Sequence, residues 1–363
     1  MKAYLNIGLV GCGMIADIYL QNLMGPFSDC LHVHGVFDMN TQLMRSRAEK
    51  YKIVHQYDSY AALLADPEID IVLNLCPPKT HYALNRQAIE AGRHVYCEKP
   101  LAVTYGEGAE LERLAQEKGV FLGCSPDVPL GALIQTARSL VDCGEIGTVI
   151  GASAHLVKQG VETWHPNPDF LYQPGAGPLL DMGPYYLTAL LHIVGPFSSV
   201  SGMSAISFPT RTVTSHPHYG QVIQVNVPTY VNALLRFSSG AMAAFTATFD
   251  VWKANLPFLE IYGSKGSLSI SDPNLFGGRI EISGPHGEWC EAPLTFPYSD
   301  NNRGLGIADM ARAILLGRQS RVGAKYAVHV LEAMDAILRS ADTGTHVKLK
   351  TCPDRPEPMD RAK

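Results

Sequence analysis

Residues 6–16 read Asn-Ile-Gly-Leu-Val-Gly-Cys-Gly-Met-Ile-Ala (NIGLVGCGMIA). A short apolar run stops at Gly11, and a helical pattern opens behind it, which is a strand, a tight turn and a helix in one βα unit. The spacing gives each small residue a task. Gly11 allows the turn, Gly13 lets the backbone approach a pyrophosphate, and Ala16 keeps the helix close to the sheet. Backbone donors across Gly11, Cys12, Gly13, Met14 and Ile15, with the helix N-terminus behind them, suit phosphate oxygens. Asp38 stands 25 residues beyond Gly13, at the end of the next β-rich run, where a carboxylate binds the adenosine ribose hydroxyls. A carboxylate there repels a 2′-phosphate, so the expected cofactor is NAD. NADP is the alternative, through Arg45 or Arg47 further along. The plain alternatives are a ligand-free βα turn and an Asp38 that only caps the next helix.

Outward from this motif the pattern repeats. Strands are expected at Leu5–Val10, His32–Phe37, Ile69–Leu75, His94–Cys97 and Val120–Gly123. Helices are expected between them at Met14–Leu23, Thr41–Tyr51, Thr80–Ala91 and Thr104–Lys118. Strands spaced by helices of this length imply a doubly wound parallel sheet, a Rossmann domain over residues 1–125. The remainder, 126–363, changes character. Helix patterns at Leu130–Val141, Pro184–Val194, Gly304–Leu316 and Tyr326–Ser340 alternate with longer strands at Thr148–Val157, Tyr230–Phe237, Ala241–Phe249 and Phe258–Tyr262. The Ser238-Ser239-Gly240 turn implies an antiparallel hairpin.

Bulk properties narrow the function. The chain has 363 residues, 46% hydrophobic and 17% charged, with a net charge of -5, which are ordinary globular values and allow two cores. The mild acidity argues against nucleic acid and anionic membrane surfaces as partners. No run approaches the ~20 apolar residues of a membrane span. Eight cysteines without a C-x-x-C pair and thirteen histidines without H-x-x-x-H spacing point to a reducing, cytoplasmic setting and no structural metal.

Two further segments carry chemistry. Cys97-Glu98-Lys99-Pro100 ends a parallel strand, which aims Glu98 and Lys99 into the crevice where dinucleotides bind. Cys76, Pro77 and His81 follow the preceding strand and line the same crevice; Pro77-Pro78 cannot continue a strand and opens a loop. The second segment is Gly175-Ala-Gly-Pro-Leu-Leu-Asp-Met-Gly-Pro-Tyr185. Asp181 and Tyr185 share one face if a helix starts at or before Asp181. A tyrosine has an ordinary pKa near ~10, too high for a base at neutral pH, and a nearby lysine ammonium favours the phenolate. Trp164 and His165, in the loop before the glycine run, are expected to face substrate. His165 has an ordinary pKa that suits a general base.

On GCGMIA (11–16), Asp38, THYALNRQAIEAGRHVYCEKPLA (80–102), GEIG (144–147), GAGPLLDMGPYY (175–186) and LEIYGSKGSL (259–268), the chain resembles the Gfo/Idh/MocA oxidoreductase family. The resemblance implies a Rossmann domain followed by a domain with a large open, mainly antiparallel sheet that pairs subunits as a homodimer or homotetramer. It implies Lys99 and Tyr185 as the catalytic pair, with Asp181 beside them. It implies an NAD(P)-dependent dehydrogenase acting on a carbinol of a sugar, cyclitol or related polyol. Two rival readings on the same fold are an NAD-dependent glycoside hydrolase and a ligand-sensing regulator. Four positions depart from the commoner pattern: Tyr185 replaces a frequent His, Thr188 a frequent Asp, Ala176 the middle glycine, and Ser125-Pro126-Asp127 a common Tyr-Arg pair.

Overall fold

The computed structural model describes residues 3–285 and 287–361. Its contacts divide the chain into two compact units. One comprises residues 1–130 and Asn301–Val328, the other Gly131–Asp300 and 329–363.

The first unit alternates β1 (Leu5–Val10), α1 (Ala16–Leu23), β2 (Leu31–Phe37), α2 (Thr41–Tyr51), β3 (His55–Gln56), α3 (Tyr60–Ala65), β4 (Ile71–Asn74), α4 (Pro78–Glu90), β5 (His94–Cys97), α5 (Tyr105–Lys118) and β6 (Leu122–Cys124). The six strands form one parallel sheet in the order β3-β2-β1-β4-β5-β6. Every residue of β1 is buried, as a central strand covered on both faces requires. The short β3 and α3 lie outside the sequence expectation. Two exposed residues such as His55 and Gln56 carry no periodicity to read. Helix α1 begins two residues later than expected, because the Ala16 N–H closes a tight turn on the Gly13 carbonyl at 3.2 Å.

The second unit carries α6 (Ala132–Asp142), β7 (Val149–Val157), α7 (Gly177–Ile193), β8 (Phe197–Ala205), β9 (Thr210–Thr212), β10 (Val222–Gln224), β11 (Tyr230–Phe237), β12 (Met242–Thr248), β13 (Leu259–Gly263), β14 (Ser267–Ile270), β15 (Ile280–Ser283) and β16 (Trp289–Ala292). Helix α8 (Leu305–Leu316) then returns to the first unit. Helix α9 (Ala324–Thr343) leads into β17 (Val347–Lys348), which closes the large sheet. That sheet has nine strands in the order β16-β15-β14-β13-β7-β12-β11-β8-β17. All its neighbours are antiparallel except β7 and β12. Strand β11 alternates buried and exposed residues along its length, so one face is covered and one is open.

The return of residues 301–328 differs from a single cut at residue 125. The cause is a set of buried bonds. The Asn22 amide donates to the Asn301 and Arg303 carbonyls, both at 2.8 Å. The Gly304 N–H donates to Asp127 at 2.8 Å. Leu305, Ile307, Ala308 and Met310 of α8 are fully buried.

Helix α7 also departs from expectation. It starts at Gly177, not Pro184, and Pro184 sits inside it. An interior proline costs ~3 kcal/mol. The extra turns bury Leu179 and Leu180, each contributing about 1.5–3 kcal/mol, which together offset that cost. Gly175 and Gly177 hold φ of +92° and +84°, values open to glycine, so the run Gly175-Ala176-Gly177 bends the chain into the helix.

Candidate active site

In the first unit the expected cofactor residues gather at the carboxyl ends of β1, β4 and β5. Strands β1 and β4 are neighbours although β2 and β3 intervene in sequence, so the crevice lies at the topological switch point of the sheet. Gly11 has φ +93°, and a Cβ there would meet the Leu75 carbonyl carbon at 2.8 Å and the Cys76 nitrogen at 2.9 Å. No other residue fits. Gly13 is the opposite case: a Cβ there would meet no atom within 4 Å. The turn is therefore open on the side of Gly13. Ile15 stands at the head of α1 and makes no side-chain cap, while Met14 beside it is 72% exposed.

The Asp38 carboxylate is braced against the same loop. The Cys12 N–H donates to Oδ2 at 2.6 Å and the Asn40 N–H to Oδ1 at 2.7 Å. The cap of α2 is Asn40, whose side chain accepts from the Leu43 N–H, so Asp38 is not that helix's cap. A carboxylate has about four lone-pair sites, which leaves two for ribose hydroxyls. Arg47 donates to Asp17 at 2.7 Å and to the Cys12 carbonyl at 3.4 Å. Lys50 and Tyr51 also bond Asp17 and hold its carboxyl below the usual carboxylate range. Burial, with help from the Asp38 carboxylate, pushes the thiols of Cys12 and Cys76 up to about 12. Neither is a nucleophile at neutral pH.

Pro77 and Pro78 do not open a free loop. Pro78 is the first residue of α4, where its missing N–H costs nothing. His81 is fully buried; its Nδ1 lies 2.7 Å from the Pro100 carbonyl and its Nε2 2.6 Å from the Cys76 carbonyl. It ties together the loops after β4 and β5 and enters the site through what it holds. Glu98 accepts the Tyr19 O–H at 2.6 Å and the Lys99 N–H at 3.0 Å, which orients the backbone entering Lys99. Tyr19, Asn74 and Asn85 are supporting residues that the sequence reading missed. The Asn74 Oδ1 accepts the Cys76 N–H at 3.1 Å, and its amide donates to Asn85. A lone polar residue ending the apolar strand Ile71–Asn74 was the available signal.

In the second unit, Asp181 and Tyr185 lie one turn apart on α7. Helix α7 is buried almost all round and packs on β7, β11 and β12. Dense packing of this kind leaves little freedom to side chains that rise from it. Tyr185 is 8% exposed and Asp181 is half-buried. His165 lies between the rings of Trp164 and Phe170, at 5.4 and 5.6 Å. Its Nδ1 accepts the Asn167 N–H at 3.0 Å, so the neutral ring carries its proton on Nε2. That tautomer is a donor at Nε2, not a base. Burial holds His165 below its ordinary pKa, and the Asp181 carboxylate works the other way. Trp164 is 64% exposed and offers a bare aromatic face. Among the described residues no group of three or more His, Cys, Asp or Glu is arranged to hold a metal, and no helix is long and apolar enough to cross a membrane.

Comparison with known proteins matches both parts of the chain to known domains. The profile of an oxidoreductase family with an NAD-binding Rossmann fold, GFO/IDH/MocA, matches residues 5–125. The GFO/IDH/MocA C-terminal domain matches residues 134–269. An uncharacterised oxidoreductase of Schizosaccharomyces pombe is 29% identical over 205 residues, 55% of this chain and 54% of that one. D-glucoside 3-dehydrogenase of Escherichia coli is 24% identical over 354 residues, 95% of this chain and 97% of that one. A solved levoglucosan dehydrogenase, in complex with NADH and levoglucosan, superposes with a TM-score of 0.83 over 96% of this chain and 100% of that one; at 20% identity this likeness speaks to fold.

Proposed function

The chain belongs to the Gfo/Idh/MocA oxidoreductase family, and from that premise we propose that it transfers a hydride between NAD and a carbinol of a sugar, cyclitol or related polyol. The observation that supports the reading is the placement of Asp181 and Tyr185 one turn apart on α7, in a chain whose other unit has a glycine turn with open space at Gly13. The nicotinamide, when bound, accepts or returns the hydride. The protein's share is the proton. Tyr185 takes it from the substrate hydroxyl, Lys99 favours the phenolate, and Asp181 orients the hydroxyl. His165 donates through Nε2 to a second hydroxyl, and Trp164 covers the apolar face of the ring. Asp38 receives the adenosine ribose.

A panel of aldoses, inositols and vicinal diols, each offered with NAD and with NADP, tests this by the absorbance of reduced cofactor. The expected result is net NADH with at least one polyol, and weaker turnover with NADP because Arg47 is committed to Asp17. Glycoside cleavage without net NADH would assign the hydrolase reading. Ligand binding with no turnover would assign the sensing reading.

The open face of the nine-stranded sheet supports a second copy of the chain as partner. Met203, Leu234 and Met242 are 78%, 65% and 57% exposed on adjacent strands β8, β11 and β12. An apolar strip of this kind favours self-association. Light scattering at micromolar concentration should give at least twice the chain mass; a monomer mass would reject the proposal.

A further inference from the structure

The segment carrying Trp164, His165 and Phe170 has little regular structure, only two short 3-10 turns at Val161–Thr163 and Asp169–Tyr172. Its order comes from the β9–β10 hairpin. At the centre is Arg211 of β9, whose side chain is 8% exposed. Its Nη1 donates to Glu162 Oε1 at 3.1 Å, and its Nη2 donates to the Asp250 carboxylate. The Glu162 and Asp250 side chains are 5% and 3% exposed. The Tyr172 O–H donates to Glu162, and the Thr229 O–H donates to Asp250 at 2.8 Å. The Phe208 ring lies 4.7 Å from the guanidinium carbon.

The hairpin also grips the segment's backbone at three points. The Thr214 N–H donates to the Glu162 carbonyl at 2.9 Å. The Ser215 O–H donates to the His165 carbonyl at 2.6 Å. The Asn226 N–H donates to the Tyr172 carbonyl at 2.9 Å.

We propose that Arg211 is a positioning residue for substrate: by joining Glu162 and Asp250 it fixes the Trp164–His165 segment as one wall of the polyol site, and the β9–β10 hairpin thereby sets substrate affinity. Burying two carboxylates and a guanidinium is costly, and an apolar plug could give equal stability. What the ions supply is geometry. Arginine's planar fork spans two carboxylates in fixed directions, which a lysine cannot do. The two carboxylates belong to the segment and to the chain just beyond β12, so the fork sets where Trp164 stands relative to the sheet.

This proposal rests on the polyol reading of Trp164 and His165. Three variants test it in the full-length protein: Ser215→Ala, Arg211→Lys and Arg211→Met. The readouts are KM and kcat for the best panel sugar, NADH affinity by fluorescence, and hydrogen exchange in residues 161–173 and in α7. Ser215→Ala removes the hydroxyl shared between the His165 carbonyl at 2.6 Å and the Glu162 carbonyl at 3.3 Å, and should raise KM roughly fivefold. Arg211→Met leaves two buried carboxylates unpaired; it should raise KM by more than about tenfold and speed exchange in 161–173 by a similar factor. Arg211→Lys, which keeps one ion pair, should fall between. NADH affinity, kcat and exchange in α7 should stay within about twofold in all three. Unchanged KM in folded variants, or a fall in kcat alone, overturns the proposal. If Arg211→Met does not fold, Ser215→Ala and Arg211→Lys decide by the same split. If the parent protein turns over no panel member, the polyol reading fails, and exchange in 161–173 still decides whether Arg211 orders the segment.

Discussion

Replacing Tyr185 by phenylalanine should lower kcat by roughly 10²–10⁴-fold, the range that general acid–base catalysis supplies, with NADH affinity nearly unchanged. The substitution removes one oxygen from a side chain that is 8% exposed, so the packing of α7 should survive it. Lys99→Ala should also lower kcat. On the proposed pairing it should move the residual activity to higher pH, because a tyrosine that loses an ammonium partner drifts back toward an ordinary pKa near ~10. The double variant should be little worse than the poorer single one if both residues serve one proton transfer. His165→Asn should act mainly on KM, since its Nδ1 is occupied by the Asn167 N–H and its Nε2 is a donor. Tyr185→Phe with most of its activity left, together with a crippled His165→Asn, would give the base role to the histidine.

The second large effect is on acid stability. Burial, and then the Arg138 and Arg355 cations, push His192 down to about 3. Burial pushes His329 down to about 4. The His329 Nε2 accepts the Phe197 N–H at 2.9 Å, so a second ring proton would face a donor. In the unfolded chain both rings titrate near ~6.5. Their folded values are depressed, so the unfolded chain binds more protons as pH falls below that value, and stability is lost toward pH 4. Each such proton is worth about 1.4 kcal/mol per pH unit. Asp127 has the opposite sign. Burial raises it to about 6 while backbone N–H groups of Gly306 and Gly304 oppose the rise. Its folded form gains a proton between pH 6 and 4 that the unfolded form lacks, which slows the loss. Urea unfolding from pH 7.5 to 4.5 measures this. His192→Leu should make the acid limb shallower by about 1.4 kcal/mol per pH unit, and Asp127→Asn should make it steeper by about the same between pH 6 and 4. A slope untouched by both substitutions would rule out these groups as the cause.

Much of the architecture was readable in local patterns. The run NIGLV announced a strand leading into a βα unit, and all six residues of β1 are buried. The spacing of Gly11, Gly13 and Ala16 described a turn whose space the structure reproduces: crowded at Gly11, open at Gly13. Asp181 and Tyr185, four residues apart, share a face only on a helix that reaches back to Asp181, and α7 does so by starting at Gly177. Other features had no local signature. Pro184 signals a helix start to any local reading, yet the buried leucines on both sides carry α7 through it.

Period and turn chemistry involve neighbours along the chain, so the amino-acid order alone settled the parallel βα units and the glycine turn. The partner of each strand and the home of each loop depend on contacts between residues far apart. Those contacts become favourable only when many side chains are buried together. The folded chain therefore decided the nine-strand order with its single parallel pair, the return of Asn301–Val328 to the first unit through Asn22 and Asp127, and the reach of Arg211 to Glu162 and Asp250, 49 and 39 residues away.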